Sequence, residues 1–314
     1  MSESIPETAP DPETATRLRR VGAVVHPGRP GALDLGKRLA SWGAERGVEL
    51  RALHEERGCL GQEVPCVPPE DFAKGLDLVV VLGGDGTLLR ALGLVLEAEV
   101  PVLGVNLGRL GFLTEVEPDG MWRALEAVWA GRYRVERRTT LAVRVLVGGR
   151  TVAEDAAVND VVIEKAAKER LARLAVYVGE GLFARYAADG IIVATPTGST
   201  AYSFSAGGPI VSPRLEALLL TPIAPHMVFN RSLVLHPGET LRLEVLAESP
   251  PVTESIDGRA VRELPAGSVV EVCRGPHSAL LVRITPTDFY GLVRSKFRLA
   301  DAGETIDPGD DEAG

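Results

Sequence analysis

No run in this 314-residue chain approaches the ~18 consecutive apolar residues of a membrane-spanning helix, so no span is expected. Aromatic residues are scarce, 5% against 45% hydrophobic overall, so aliphatic side chains and alanine must fill the core. There are only three cysteines, Cys59, Cys66 and Cys273, which cannot pair completely. So few thiols, in a chain large enough to need no disulfide scaffold, suit a reducing compartment and a cytoplasmic protein. Cys59 and Cys66 have no histidine at zinc-like spacing, which argues against a structural metal. The segment Met1-Ser2-Glu3-Ser4 lacks the basic start and apolar run of a signal peptide.

A basic surplus is missing as well. The net charge is −9, but four acids without a base lie in residues 1–16 and six, again without a base, in residues 301–314. Setting those ten aside leaves residues 17–300 near +1, so the body lacks the electrostatic footprint of a nucleic-acid binder. The two ends are too polar to bury a core, and the sequence predicts a disordered acidic leader over 1–17 and a disordered acidic tail over 301–314.

Between the tails the hydrophobic pattern has two regimes. Arg20–Val25 reads as a buried strand ended by His26-Pro27-Gly28. Leu35, Leu39 and Trp42 recur at helical spacing over 34–47, with Gly47 as the stop. The valine run of 76–82 suits a strand covered on both faces, and Leu88, Leu89, Leu92 and Val95 then mark a helix. A short strand over 102–105 and a helix over 121–130 follow. Strands alternating with helices predict an α/β N-terminal domain with a largely parallel sheet, residues 18–135. From about 139 the period shortens. Strand-like runs at 141–147, 171–178, 190–195, 232–235, 241–247, 269–273 and 279–285 are separated by turn residues, predicting a mostly antiparallel all-β C-terminal domain over 136–285. Residues 286–300 are expected to pack back on the N-terminal domain.

The strongest local signal is Gly83-Gly84-Asp85-Gly86-Thr87, between a buried strand and a helix. Three glycines remove the β-carbons that would hold a ligand off the backbone, and the amides of the loop and the helix N-terminus form a nest for phosphate oxygens. The loop lacks the lysine of a Walker motif and the glycine spacing of the dinucleotide fingerprint. A carboxylate in an anion-binding loop is unfavourable unless a cation or a ligand hydroxyl compensates for it, a combination that suits phosphoryl transfer. The alternative is a tight turn with Asp85 as N-cap.

Elsewhere, Thr195-Pro196-Thr197-Gly198-Ser199-Thr200 gathers hydroxyls and free amides after a strand, groups that suit an adenine, a ribose or an amide ring. A well-capped strand-to-helix junction explains the same residues. Tyr202 either stacks on a ring or packs in the core. Asn159 can donate and accept together, and Asp160 can accept from two sugar hydroxyls, although Asn-Asp is also a common turn. Asp257-Gly258 fits a site or a hairpin tip equally well. His226 and His236 have no second metal ligand nearby and read as structural.

These segments carry a resemblance. Gly83 to Thr87 resembles the signature loop of a kinase superfamily that includes NAD kinases, diacylglycerol and sphingosine kinases, and 6-phosphofructokinases. Asp189-Gly190-Ile191-Ile192-Val193-Ala194-Thr195-Pro196-Thr197-Gly198-Ser199-Thr200-Ala201-Tyr202, continuing through Ser205-Ala206-Gly207-Gly208-Pro209, resembles the long central motif of NAD kinases. Gly104 to Leu113, Ala157 to Val162, and Thr221 to His226 with Asn230-Arg231 are similar to further family motifs, in the expected order over roughly residues 20–300. One departure is Asn159-Asp160, where the family most often has asparagine and glutamate; aspartate keeps the charge but reaches one methylene less far.

The resemblance implies an NAD kinase-like fold and phosphorylation of the adenosine ribose 2′-hydroxyl of NAD to give NADP. Asp85 is the implied catalytic general base, and Gly83, Gly84, Gly86 and Thr87 are the implied donor-phosphate loop. Asp85, Gly86, Asn159, Asp160 and Asp189 are implied to contact NAD, with Thr197, Ser199, Thr200, Ala201 and Tyr202. Mg²⁺ or another divalent metal is expected with the phosphates of ATP or polyphosphate rather than in a dedicated ligand cluster. The expected assembly is a homodimer or homotetramer, with no nucleic-acid or membrane partner. The rivals are a lipid or sugar-phosphate kinase of the same superfamily and a non-catalytic NAD-binding regulator.

Overall fold

The computed structural model describes residues 18–26, 28–108, 111–166, 170–286 and 288–299. The acidic leader 1–17 and tail 301–314, together with Pro27, Arg109 and Leu110 of the motifs above, lie outside the described residues.

A seven-stranded sheet forms the first layer, in the order Cys66–Val67, Glu49–Leu53, Arg20–Val25, Leu78–Gly83, Val102–Asn106, Ala279–Arg283, Arg134–Arg138. All its pairs are parallel except the last. Leu78–Gly83 and Val102–Asn106 are buried at every position, which is why they read as continuous apolar runs. The helix Ala32–Arg46 buries Leu35, Leu39 and Trp42 and ends at Gly47, whose positive φ lets its N–H turn back to the Ala44 carbonyl. Strand order reverses beside Arg20–Val25: the chain steps out to Glu49–Leu53, then returns to pair Leu78–Gly83 on the other side. At such a reversal the loops beyond the carboxyl ends of the strands diverge and leave a crevice.

Two six-stranded antiparallel sheets follow. One has the order Gly181–Ala188, Ala172–Val178, Leu241–Val245, Val269–Arg274, Leu141–Val147, Arg150–Ala157. The other runs Leu233–Leu235, Leu218–Ile223, Gly190–Ala194, Asp160–Lys165, Val252–Ile256, Arg259–Leu264. Inward residues of both, such as Leu141, Val143, Leu174 and Leu243 from the first and Val161, Ile163, Ile191 and Val193 from the second, share one apolar core.

Two strands within or overlapping the stretch that the alternation groups as β-rich instead complete the first sheet. Residues 279–283 are wholly buried and lie parallel beside Val102–Asn106, and residues 134–138 pair antiparallel with them. Val158, from the segment leading into Asp160–Lys165, lies in the same core cluster as Leu88, Leu92 and Leu113. The glycine loop and the mouth of the β region therefore share one hydrophobic seam. The described residues beyond Ile284 belong to a separate unit that contains the helix Phe289–Lys296, N-capped by the Asp288 carboxylate on the Gly291 N–H. No helix among the described residues is long and apolar enough to cross a membrane.

Candidate functional site

The crevice at the strand reversal is a cleft of about 620 Å³, lined by Val25 and His26 from one strand end, Gly84, Asp85, Gly86 and Thr87 from the next, and Arg29, Glu55, Glu56 and Arg90. Each loop glycine has its own reason. A β-carbon at Gly83 would stand 2.4 Å from the Thr87 hydroxyl, so glycine lets the loop fold over its own strand end. At Gly84 and Gly86 there is nothing within 4 Å, so both positions open outward and their backbone can be approached. The helix Asp85–Val95 begins here; the Thr87 N–H turns back to the Gly84 carbonyl at 3.0 Å, but the Asp85 and Gly86 amides have no carbonyl of the helix behind them, which makes the spot receptive to anions.

Asp85 is half-buried, and its carboxylate is held from outside the loop. Oδ2 accepts the Phe112 N–H at 2.7 Å, and Oδ1 accepts those of Leu113 and Thr114, each at 3.2 Å. A carboxylate has about four lone-pair positions, so three donors fix its orientation and leave capacity for one more. The cradle requires a glycine, because a β-carbon at Gly111 would sit 1.8 Å from Asp85 Oδ1.

The positive charge of the cleft is already partly engaged. Arg90 pairs with Glu55 and with Glu56, which is almost fully buried and also accepts the Val25 N–H at 3.0 Å. Burial pushes the Glu56 carboxyl up, and Arg90 opposes that. Arg29 lies on the exposed side near Gly108. Among the described residues no cluster of three or more histidine, cysteine or acidic side chains has metal-binding geometry.

A second group lies at one end of the sheet that contains Asp160–Lys165. Asp160 pairs with Ala194 in the register, so Asn159 and Asp160 adjoin the turn that starts at Thr195. The Thr195 N–H donates to the Asn159 carbonyl at 2.9 Å, and its hydroxyl donates to the Val158 carbonyl at 2.7 Å. Asp257 closes the group: its carboxylate accepts the N–H groups of Val158, Asn159 and Asp160 at 2.7–3.2 Å. Asp257 and Gly258 both have positive φ, the signature of a two-residue type I′ hairpin turn, so this pair is a hairpin tip and a support for the site at once.

Asp160 is 4% exposed; burial, then the neighbouring Asp257, pushes its carboxyl up to about 7. Burial also raises Asp257, against the lowering effect of the three amides. The Asn159 and Asn106 side-chain oxygens are both buried without a hydrogen-bond partner, acceptors that only a bound molecule or water can satisfy.

Not every candidate residue is equally open. Thr197 is buried, and its hydroxyl accepts from Arg138 at 3.3 Å. The Ser199 hydroxyl donates to the Pro196 carbonyl and accepts the Val211 N–H, so it serves the turn itself. Thr200 donates weakly to the Thr197 carbonyl at 3.4 Å, and Ala201 is half-buried. Asp189 stands at the opposite end of Gly190–Ala194 from Thr195, about 20 Å away at the rise of a strand, and pairs with Lys165 at 2.5 Å. Tyr202 opens the short helix packed along that strand and is 41% exposed. Burial raises its hydroxyl, and Glu164, Asp189 and Asp160 raise it further, so it stands in the field of carboxylates from both ends. Asn159, Asp160, the Thr195–Thr200 turn and Asp257 thus meet at one point, with Tyr202 leading toward Asp189.

Known proteins resemble this chain over both of its main regions. The family model described as the ATP-NAD kinase N-terminal domain matches residues 67–133, and that of the ATP-NAD kinase C-terminal domain matches residues 158–284. NAD kinase 1 of Streptomyces avermitilis is 42% identical over 329 aligned positions, covering 93% of this chain and 90% of its own. The NAD kinase of Heliobacterium modesticaldum is 41% identical over 278, covering 88% and 98%. Among solved structures, yeast NADH kinase complexed with NADH superposes with a TM-score of 0.85 at 25% identity, covering 93% of this chain and 91% of that one. An NAD kinase from Archaeoglobus fulgidus in complex with ATP superposes with a TM-score of 0.67 at 25% identity, covering 90% and 99%.

Proposed function

The chain belongs to the NAD kinase family, and we propose how its residues divide the phosphorylation of NAD to NADP. The observation that carries the proposal is a cleft at the sheet's strand reversal in which one carboxylate, Asp85, is oriented by three backbone N–H groups and keeps one acceptor position open. The phosphates of the donor, ATP or polyphosphate, lie against Gly83, Gly84, Gly86 and Thr87 at the helix start, with Arg29 and Arg90 nearby. The adenosine ribose presents its 2′-hydroxyl to the open position on Asp85, which accepts the proton as the hydroxyl oxygen bonds to the terminal phosphorus; the bond from that phosphorus to the bridging oxygen breaks, and ADP, or polyphosphate shortened by one unit, leaves. Asn159 and Asp160 accept from sugar hydroxyls, the Thr195–Ala201 turn offers amides and hydroxyls to the adenosine, and Tyr202 and Asp189 follow the molecule toward the nicotinamide.

A divalent metal would enter this cleft as a passenger on the donor phosphates, with Asp85, Glu55 and Glu56 as the carboxylates among its lining residues and the last two already paired with Arg90. When bound, Mg²⁺ neutralises phosphate charge. The protein's own share is alignment: with donor and acceptor oriented, positioning supplies much of the acceleration and proton acceptance typically about 10²–10⁴-fold. We place the enzyme in the cytoplasm, consistent with its three free cysteines, and infer a homodimer or homotetramer, for which the exposed, edge-to-face pair Phe183–Phe229 offers an apolar contact. Product analysis with NAD, tested against ATP, polyphosphate and a diacylglycerol control, checks the assignment. NADP formation is expected with a nucleotide or polyphosphate donor, and phosphorylation of the lipid alone would refute it.

Two smaller effects follow from the dinucleotide end. Gly198 faces the Asn159 carbonyl so closely that a β-carbon would lie 2.1 Å from that oxygen and 2.6 Å from its carbon. Both atoms are backbone and cannot rotate away, so Gly198→Ala is expected to cost about 1–3 kcal/mol and to raise the KM for NAD roughly tenfold. Thermal unfolding and steady-state kinetics read the two effects separately.

The second effect concerns pH. Asp160 is raised in the folded chain, to about 7, above its ordinary value of 3.8, so its ionisation opposes folding. The penalty is absent below about pH 4, grows as pH rises to 7, and is complete above it. Asp160→Asn is therefore expected to stabilise the ligand-free enzyme at pH 8, by on the order of 1–2 kcal/mol once the amide's own burial is discounted, and not at pH 4. The ionised form accepts sugar hydroxyls better, so the KM for NAD is expected to fall between pH 6 and 8 in the natural enzyme and to stay flat in the variant. Unfolding curves and KM profiles across that range test both.

A further inference from the structure

Beneath the two loops of the site lies a cluster of four charged side chains, Glu115, Glu136, Arg138 and Arg283. Their side chains are 7%, 24%, 4% and 5% exposed. Glu136 and Arg138 are two residues apart on the strand Arg134–Arg138 and so share a face. Glu136 pairs with Leu281 in the register, which makes Arg283 its diagonal neighbour across the strands. Its carboxylate is divided between them: Oε1 meets Arg138 Nη2 at 3.0 Å, and Oε2 accepts from Arg283 Nε at 2.7 Å. Burial pushes this carboxyl up, but the two guanidiniums outweigh it and hold it below the usual carboxylate range.

Each arginine reaches onward to a different loop. Arg283 Nη1 donates to the Leu113 carbonyl at 3.1 Å and pairs with Glu115 at 3.0 Å. Leu113 is one of the three residues whose N–H groups hold Asp85. Arg138 Nη1 donates to the Thr197 hydroxyl in the dinucleotide turn. Arg138 Nε and Arg283 Nη2 are buried without partners, so the cluster leaves hydrogen-bonding capacity unused that a purely structural core would fill or replace with apolar side chains.

We propose that Glu136 is a positioning residue for phosphoryl transfer, which locks Arg283 and Arg138 so that the cradle of Asp85 and the turn that receives the dinucleotide stay in register. The inference rests on the assignment of Asp85 and the Thr195–Tyr202 segment to the site. It makes the two arginines separable. Arg283→Lys keeps a charge but loses the fork that reaches Leu113, and its effect falls on kcat; Arg138→Lys loses Thr197, and its effect falls on the KM for NAD. Glu136→Gln, nearly isosteric, is expected to affect both.

The test measures kcat, KM for NAD and the thermal midpoint of the full chain for these three variants and for Glu136→Gln combined with Arg283→Lys. Expected results are a kcat loss of tenfold or more in Arg283→Lys, a rise in KM of fivefold or more in Arg138→Lys, and a double variant no slower than the worse of its parents. Backbone amides of Phe112–Thr114 should exchange hydrogen faster in Arg283→Lys and not in Arg138→Lys. The proposal is overturned if folded Glu136→Gln keeps both constants within twofold, if the two lysine variants share one kinetic profile, or if the losses simply multiply. Should Glu136→Gln not fold, the lysine pair alone decides. An Asp85→Asn enzyme of normal turnover would remove the underlying reading instead, whereas a dead Asp85→Asn beside a silent Glu136→Gln removes only this inference.

Discussion

Asp85→Asn is expected to lower NADP formation by at least about two orders of magnitude while the chain stays folded. The carboxylate uses both oxygens structurally, one on Phe112 and one on Leu113 and Thr114. Asparagine keeps a single oxygen, so its NH₂ must face at least one amide N–H, donor against donor. The loop then loosens, and the ribose hydroxyl loses a charged acceptor whose remaining lone pair was aimed by three fixed donors. Proton acceptance alone accounts for about 10²–10⁴-fold, and misalignment adds to it. The fold should tolerate the change, because Asp85 is half-buried at the edge of a cleft and the apolar seam beneath it, Leu88, Leu92 and Leu113, is untouched. Single-turnover NADP formation and the thermal midpoint, measured on one preparation, separate lost chemistry from lost structure. A variant that turns over within tenfold of the natural enzyme would show that this carboxylate is only a brace for its neighbour loop.

What the sequence reveals of this site is what lies close together along the chain. The Gly83–Thr87 loop, the Asn159-Asp160 pair and the Thr195–Tyr202 turn are each a few residues long, and their side-chain chemistry is legible without a fold. Much of the architecture is legible for the same reason, since the periods of 3.6 and 2 mark the helices and the sandwich strands locally. The partners that make these segments work are distant. Asp85 depends on amides 27–29 residues away, Asn159 and Asp160 on a carboxylate nearly a hundred away, and Arg283 on Glu136, 147 residues away. Backbone amides are also invisible to a reading of side chains, which is why the Gly104–Leu113 segment is legible as a motif but its task is not.

Two further cases are instructive. Ala279–Val282 is an unbroken apolar run, the mark of a strand buried on both faces, yet its position after a series of alternating strands groups it with the sandwich. Asp257-Gly258 permits a hairpin tip or a site residue, and the folded chain makes it both, because a type I′ turn leaves the aspartate side chain free to bond elsewhere. Ser199 is the converse: a hydroxyl in the right segment that is consumed by its own turn.

Gly111→Ala should reproduce most of the loss expected on changing Asp85, without touching that residue. Gly111 lies outside the left-handed region, so an alanine there meets no backbone strain. Its methyl group would lie 1.8 Å from Asp85 Oδ1, 2.2 Å from Cγ and 2.4 Å from Oδ2. All three atoms belong to a side chain, so the clash is relieved by swinging the carboxylate out of its cradle, a movement that takes the acceptor from the Phe112, Leu113 and Thr114 N–H groups and costs about 1–3 kcal/mol. At Gly198, by contrast, the obstacle is main chain and cannot swing aside. Turnover is expected to fall roughly 10²-fold, with the KM for NAD nearly unchanged, because the dinucleotide turn and Asp160 are left in place. Combining Gly111→Ala with Asp85→Asn should then bring little additional loss, since the two substitutions remove the same aimed acceptor and a second removal has nothing left to take. Multiplicative losses in that cycle would mean that the 111–114 loop and Asp85 serve the reaction independently, and the three amide hydrogen bonds between them would be structural only.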